Sequence, residues 1–155
     1  MDSADHLFFV VIDDRTGRAE GMMSYMRVVP PHGVIEIGYI WLGTRLHRTT
    51  PATEAIYFLL RHAFDDLGYR RVEWKCDALN GPSRRAAERF GFQYEGIFRQ
   101  HMVVKGRNRH TAWYAALDDE WPSLRTAFEA WLSPKNFDSA GTQRQSLSSI
   151  RAPAQ

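Results

Sequence analysis

Three groups of residues in this sequence have types and spacings that chemistry can use. The first is the polar loop Arg45-Leu46-His47-Arg48-Thr49-Thr50, which runs directly into Pro51-Ala52-Thr53-Glu54-Ala55. A proline at the first helical position gives up an amide that has no partner there, and a threonine just before it can cap the next ones, so Pro51 with Thr49 or Thr50 marks a helix start. The free amides and positive dipole end of that helix face the loop. An anion placed there would meet backbone donors, Arg45, Arg48 and two hydroxyls. The second group is Asn80-Gly81-Pro82-Ser83-Arg84-Arg85, another helix start, with Asn80 or Gly81 as cap and a hydroxyl in the first turn. The third is Glu36, the only carboxylate inside the apolar run Val34 to Leu42. Strict alternation puts it on one face with Gly38 and Ile40, half buried and harder to ionise, which suits a proton acceptor.

Both helix starts follow strands, and the rest of the chain supplies the frame. Leu7 to Ile12 and Gly21 to Val29 read as strands around a Gly-containing turn, and Pro30-Pro31-His32-Gly33 turns into a third strand, Val34 to Leu42. Ala52, Ile56, Leu59, Leu60, Ala63 and Leu67 recur at three- and four-residue steps, which predicts a helix over 51–67 ending at Gly68. Arg71 to Asp77 alternates as a strand, and the second helix ends at Phe90-Gly91-Phe92. Phe92 to Val104 and Thr111 to Leu117 are further strands around a polar turn. A last helix carries Leu124, Phe128 and Leu132, and residues 136–155 read as a mobile tail rich in Ser, Gln and Ala.

The run Ala52-Thr53-Glu54-Ala55, the spacing Asn80-x-x-Ser83 and the ending Glu88-Arg89-Phe90-Gly91-Phe92 with Glu95-Gly96 resemble the GCN5-related N-acetyltransferases, and within them the RimJ/RimL-like group. The resemblance covers about residues 7 to 132. It implies an α/β (α+β) fold, a mixed and mostly antiparallel sheet with two central parallel strands that splay apart, flanked by helices. It implies acetyl-CoA as cosubstrate in the splay, and the residues show no metal-ligand pattern. Trp41 and Leu42 would present backbone groups to the pantetheine arm. His47, Arg48, Thr49, Thr50, Pro51, Ala52 and Thr53 would form the pyrophosphate loop. Asn80 and Ser83 would reach the pantetheine and the sulfur, and Arg84 would meet a phosphate. Arg48 and Thr50 stand where the family's loop usually has glycine, so side chains must replace some of the close backbone approach. The second helix has Ala87 where many members carry a tyrosine that protonates the leaving thiolate. Ser83 takes that role in RimL-like members.

The implied reaction is acetyl transfer to a primary amine, a protein N-terminus or a small molecule, by direct attack in a ternary complex with Ser83 as acid, and the strand position of Glu36 makes it the proposed base. The alternative is a non-catalytic acyl-CoA-binding or interaction module of the same fold. Relatives begin with a further strand and helices that wall the acceptor side, and here six residues precede the first strand. That leaves a sheet edge at Leu7 to Ile12 suited to pairing with another chain, so a homodimer is plausible.

Each residue also has a plainer reading. Glu36 is as readily a strand carboxylate paired with Lys or Arg, and Ser83 a first-turn serine bonded to backbone. His101 and His110 are alternative bases, Arg84, Arg85 and Arg89 a solvated helix face, and Trp41, Trp74, Trp113 and Trp121 packing residues. The totals bound the rest. A chain of 155 residues is one domain by size, here residues 1–135 with the tail beyond. A net charge of +2 argues against nucleic acid as a partner. The single Cys76 excludes an internal disulfide and suits a reducing compartment, and no apolar run reaches membrane-spanning length, so the cytoplasm is the expected location.

Overall fold

The computed structural model describes residues 6–14, 16–47 and 49–151. Strands β1 (Leu7–Asp13), β2 (Arg18–Val29) and β3 (Val34–Leu42) form an antiparallel meander. Helix α1 (Thr50–Arg61) then crosses over to β4 (Arg71–Asp77), which pairs parallel to β3, as a strand-helix-strand crossover requires. Helix α2 (Gly81–Phe90) leads to the hairpin β5 (Gln93–Val104) and β6 (Arg107–Leu117), followed by α3 (Trp121–Leu132) and α4 (Leu147–Arg151). The sheet order is β1-β2-β3-β4-β6-β5, so β6 inserts between β4 and β5 and β1 is an outer strand, as the sequence suggests. The expected mixed, mostly antiparallel sheet with one parallel pair is what forms.

The helices share one core with a single sheet face. Met23, Tyr25, Ile35, Ile37, Val72, Trp74, Cys76 and Tyr114 pack there with Ile56, Leu60, Phe90 and Phe128. The opposite face carries charged residues over β4 and exposed rings over β1 and β3, with Phe8 at 49%, Tyr39 at 56% and Trp41 at 60% exposure. Trp41 is therefore not the packing residue its type suggests.

Local departures from the expected pattern have identifiable causes. Thr49 is the N-cap of α1 and Pro51 its second residue, and Thr49 makes no side-chain cap bond because its hydroxyl donates to the Leu46 carbonyl at 2.9 Å. After Arg61 the helix widens into a π-turn over His62–Asp66. The wider turn shifts the apolar phase, so Leu67 falls off the core face and is exposed. In β3, Tyr39 has φ of 47° and the register to β2 slips between Met22 and Ser24. This bulge breaks strict alternation: Ile40 turns to the core, away from the face of Glu36 and Gly38.

The expected tail from Asn136 is instead packed through residue 151. Asn136 holds the Trp131 and Gln145 carbonyls and accepts from the Gln145 amide, Trp131 donates to Gln143 at 2.8 Å, and Leu147 is fully buried. The polar side chains that read as solvated in sequence are used here as a hydrogen-bonded clasp.

Candidate active site

The site begins where β3 and β4 part. Their parallel pairing runs through Val34–Arg71, Ile35–Val72 and Glu36–Glu73 and stops. Beyond it β3 stays with β2, while β4 stays with β6 through Asp77. A fork opens between the two arms, and each arm delivers the chain to a helix N-terminus: α1 after β3, α2 after β4.

On the β3 side, the first-turn amides of α1 have no side-chain cap. Arg45 is drawn to Glu20 at 3.1 Å, and the exposed His47 meets the Leu42 carbonyl through Nε2 at 3.0 Å. Arg48 lies outside the described residues. Thr50 and Pro51 sit in the first turn, while Ala52 and Thr53 are buried. Thr53 faces inward, where its hydroxyl accepts from Arg89 at 3.0 Å. Arg89 is thus no solvated face: its guanidinium stacks on Trp131, and burial pushes its pKa down.

On the β4 side, Asn80 Oδ1 accepts the Ser83 amide at 3.1 Å, so Asn80 is the cap of α2. Ser83 Oγ accepts from the Trp74 indole at 3.0 Å. Burial raises the Cys76 thiol pKa, and a hydrogen bond from Ser83 works against that rise. Arg84 bonds to neighbours within the fold. It donates to the Tyr114 hydroxyl at 3.1 Å and to the Ala78 carbonyl at 3.3 Å.

The base of the fork carries a line of charges that the sequence reading did not assemble. Glu36 is 3% exposed, buried and not half buried, and its Oε2 is shared by Arg27 at 2.7 Å and Lys75 at 3.0 Å. Lys75 also pairs with Glu73 at 2.5 Å and lies over the Trp113 ring, 3.9 Å from its centroid. Arg71 binds Glu73 at 2.9 Å and grips both oxygens of Glu95, holding the Glu95 carboxyl below the usual range. A bulged Arg27, with φ of 45°, brings its guanidinium into the line. Of the two readings open for Glu36, the structure takes the paired carboxylate, and its Oε1 is the oxygen left beside Gly38. The signal was legible: Arg71, Glu73, Lys75 and Asp77 alternate with Val72, Trp74 and Cys76, an amphipathic strand with one ionic face.

The other candidates lie nearby. His101 Nδ1 meets the buried Thr111 hydroxyl at 2.9 Å beside Phe98 and Trp113, whereas His110 is occupied as acceptor of the Gln100 amide at 2.7 Å. Among the described residues no group of three or more His, Cys, Asp or Glu could hold a metal ion, and no helix is long and apolar enough to cross a membrane.

A mixed sheet forked between its central parallel strands, with a helix N-terminus on each arm, defines an acetyltransferase-type α/β domain. Comparison makes the assignment specific. The Acetyltransferase (GNAT) domain model matches residues 1–93, and the chain belongs to that family. A GCN5-related N-acetyltransferase from Brucella melitensis is 58% identical, with a TM-score of 0.94 over 97% of this chain and 68% of its own. A GNAT-family structure from Chromobacterium violaceum is 48% identical, with a TM-score of 0.74 over 77% of this chain and 60% of its own. YdaF of Bacillus subtilis, provisionally named as a ribosomal N-acetyltransferase, is 32% identical over 101 residues, 65% of this chain and 55% of its own. The chain spans about half the length of the curated relatives it matches.

Proposed function

We propose that this protein is a RimJ/RimL-like N-acetyltransferase that moves an acetyl group from acetyl-CoA to a primary amine. The observation that carries the reading is the fork: the β3–β4 pairing ends at Glu36–Glu73 and both arms lead into helix N-termini. The pyrophosphate lies on the uncapped first turn of α1, within reach of His47, Thr49 and Thr50, as an anion on free amides does. The pantetheine arm runs along the backbone of Trp41 and Leu42, where the Tyr39 bulge has turned the strand, and meets Asn80 and Ser83 on the other arm. The amine attacks the thioester carbonyl directly, a backbone amide of β3 polarises that carbonyl, and Ser83 delivers a proton to the departing sulfur.

Two of the expected roles take a specific form. Arg84 serves as a brace between α2 and β6, since both of its bonds go inward. Glu36 acts on the amine through Oε1, because Oε2 is held by two cations.

Isothermal titration with acetyl-CoA, repeated with Asn80→Ala, tests the cofactor reading, and release of free CoA thiol over a panel of peptide and small-molecule amines tests the reaction. Micromolar binding weakened by the substitution, with amine-dependent thiol release, supports it. Binding without release on any amine favours the non-catalytic acyl-CoA-binding module. Absence of binding refutes both.

A further inference from the structure

Ser83 is held from two sides before any ligand arrives. Its amide is fixed by Asn80 Oδ1 at 3.1 Å, and its hydroxyl oxygen receives the Trp74 indole N–H at 3.0 Å. Trp74 is 5% exposed, and its ring is set against Phe90 and Phe92, with centroids 6.1 and 5.5 Å away. The indole has one N–H and no acceptor, so it can only donate. A hydroxyl that accepts from such a partner must place its own proton elsewhere. Cys76 lies two residues beyond Trp74 on the same face of β4.

We propose that Trp74 is a positioning residue for proton delivery in acetyl transfer: by occupying a lone pair of Ser83 Oγ, it leaves the Ser83 proton free for the departing CoA sulfur. The inference rests on the reading that Ser83 faces the sulfur of bound acetyl-CoA. The amine nitrogen forms the new C–N bond as the C–S bond breaks, and the electron pair goes to sulfur. The Ser83 hydroxyl proton passes to that sulfur, giving CoA thiol, while the Trp74 N–H stabilises the negative charge left on Oγ. The proton lost by the amine is taken by Glu36 and returns to Ser83 through water. A departing thiolate is a charged acceptor, and a hydroxyl donates to it more strongly than to a neutral one.

The test uses free CoA, the product, and needs no acceptor amine. Ultraviolet absorbance of the thiolate is followed against pH with CoA bound to the wild-type protein, Trp74→Phe, Ser83→Ala and the double variant, each corrected for protein alone. The wild type is expected to hold the bound thiolate roughly tenfold more favourably than either variant does, the effect of one charge-assisted hydrogen bond. The double variant is expected to match Ser83→Ala, since Trp74 acts only through Ser83. Arg84 of α2, Arg109 of β6 and Asp77 of β4 act on the neighbouring Cys76 thiol, and they are common to all four proteins. Should Trp74→Phe fail to fold, the indole N–H resonance of wild-type Trp74, assigned through its contacts with Phe90 and Phe92, replaces it. That resonance shifts as bound CoA ionises if the relay exists, and an unmoved resonance overturns it. Equal titration in the wild type and Trp74→Phe, with CoA bound to both, overturns the inference and leaves the cofactor reading intact. A wild type that does not bind CoA overturns both.

Discussion

Replacing Lys75 with methionine tests whether the charges at the base of the fork form one coupled unit. The Lys75 side chain is 6% exposed, and its ammonium bridges Glu73 at 2.5 Å and Glu36 at 3.0 Å beneath the Trp113 ring. Methionine keeps the length and the contact with Trp113 but leaves two buried carboxylates one cation short. Removing one partner of a buried ion pair costs about 3–5 kcal/mol. Two features reduce that here. Glu36 keeps Arg27 and Glu73 keeps Arg71, so neither carboxylate is orphaned, and a loss of about 2–3 kcal/mol at pH 7 is expected. For a domain of this size that lowers the melting temperature by roughly 4–12 °C. Equilibrium urea unfolding of Lys75→Met, Glu73→Gln and the double variant measures it. Because Glu73→Gln removes the charge that Lys75 balances, the double variant is expected to recover at least about 1 kcal/mol relative to the sum of the singles. A loss under about 0.5 kcal/mol, or strict additivity, refutes the idea that the line acts as a unit.

Three further outcomes follow from particular contacts. Gly91→Ala puts a Cβ at φ of 97°, against Leu124 Cδ2 at 2.5 Å and the Arg151 guanidinium. Backbone strain and overpacking together cost about 2–4 kcal/mol, read as a drop in urea midpoint. Asn80→Ala removes the bond to the Ser83 amide and costs about 1 kcal/mol of stability, with weaker acetyl-CoA binding by titration calorimetry. The Arg71 clamp lowers the folded pKa of Glu95, so its contribution is complete above the unfolded carboxylate value of about 4.3 and is lost as pH falls through the folded value. Glu95 is 40% exposed, so Glu95→Gln is expected to cost under about 1 kcal/mol at pH 7. The difference from wild type should shrink as pH falls below about 4.3 in acid-unfolding curves, and a constant difference contradicts the assignment.

Much of this protein is written in local pattern. The apolar period of residues 52–63 makes α1, Gly68 and Gly91 end helices because only glycine takes their left-handed backbone without strain, and Asn80 caps α2 through a bond spanning three residues. A crossover helix between two strands suits them to parallel pairing. For these features the deciding interactions lie within a few residues of one another, so sequence suffices. The ionic line does not share that property. Arg27, Glu36, Lys75 and Arg71 come from three strands, and their pairing depends on register and on the bulge that turns Arg27.

The same distinction separates residues whose types suggested one role from the roles they take. Arg84 looked free at a helix start but turns inward because Tyr114 arrives from β6, and Arg89 leaves solvent because Trp131 of α3 and Thr53 of α1 offer a stacking face and an acceptor. The polar stretch after Asn136 closes on itself because one asparagine side chain can satisfy three backbone groups at once. By itself the sequence determined the elements, their order and the two helix starts that frame the fork. Tertiary structure alone decided which charges meet at its base and which indole holds Ser83, because a side chain's partner is set by what other strands bring within hydrogen-bond reach.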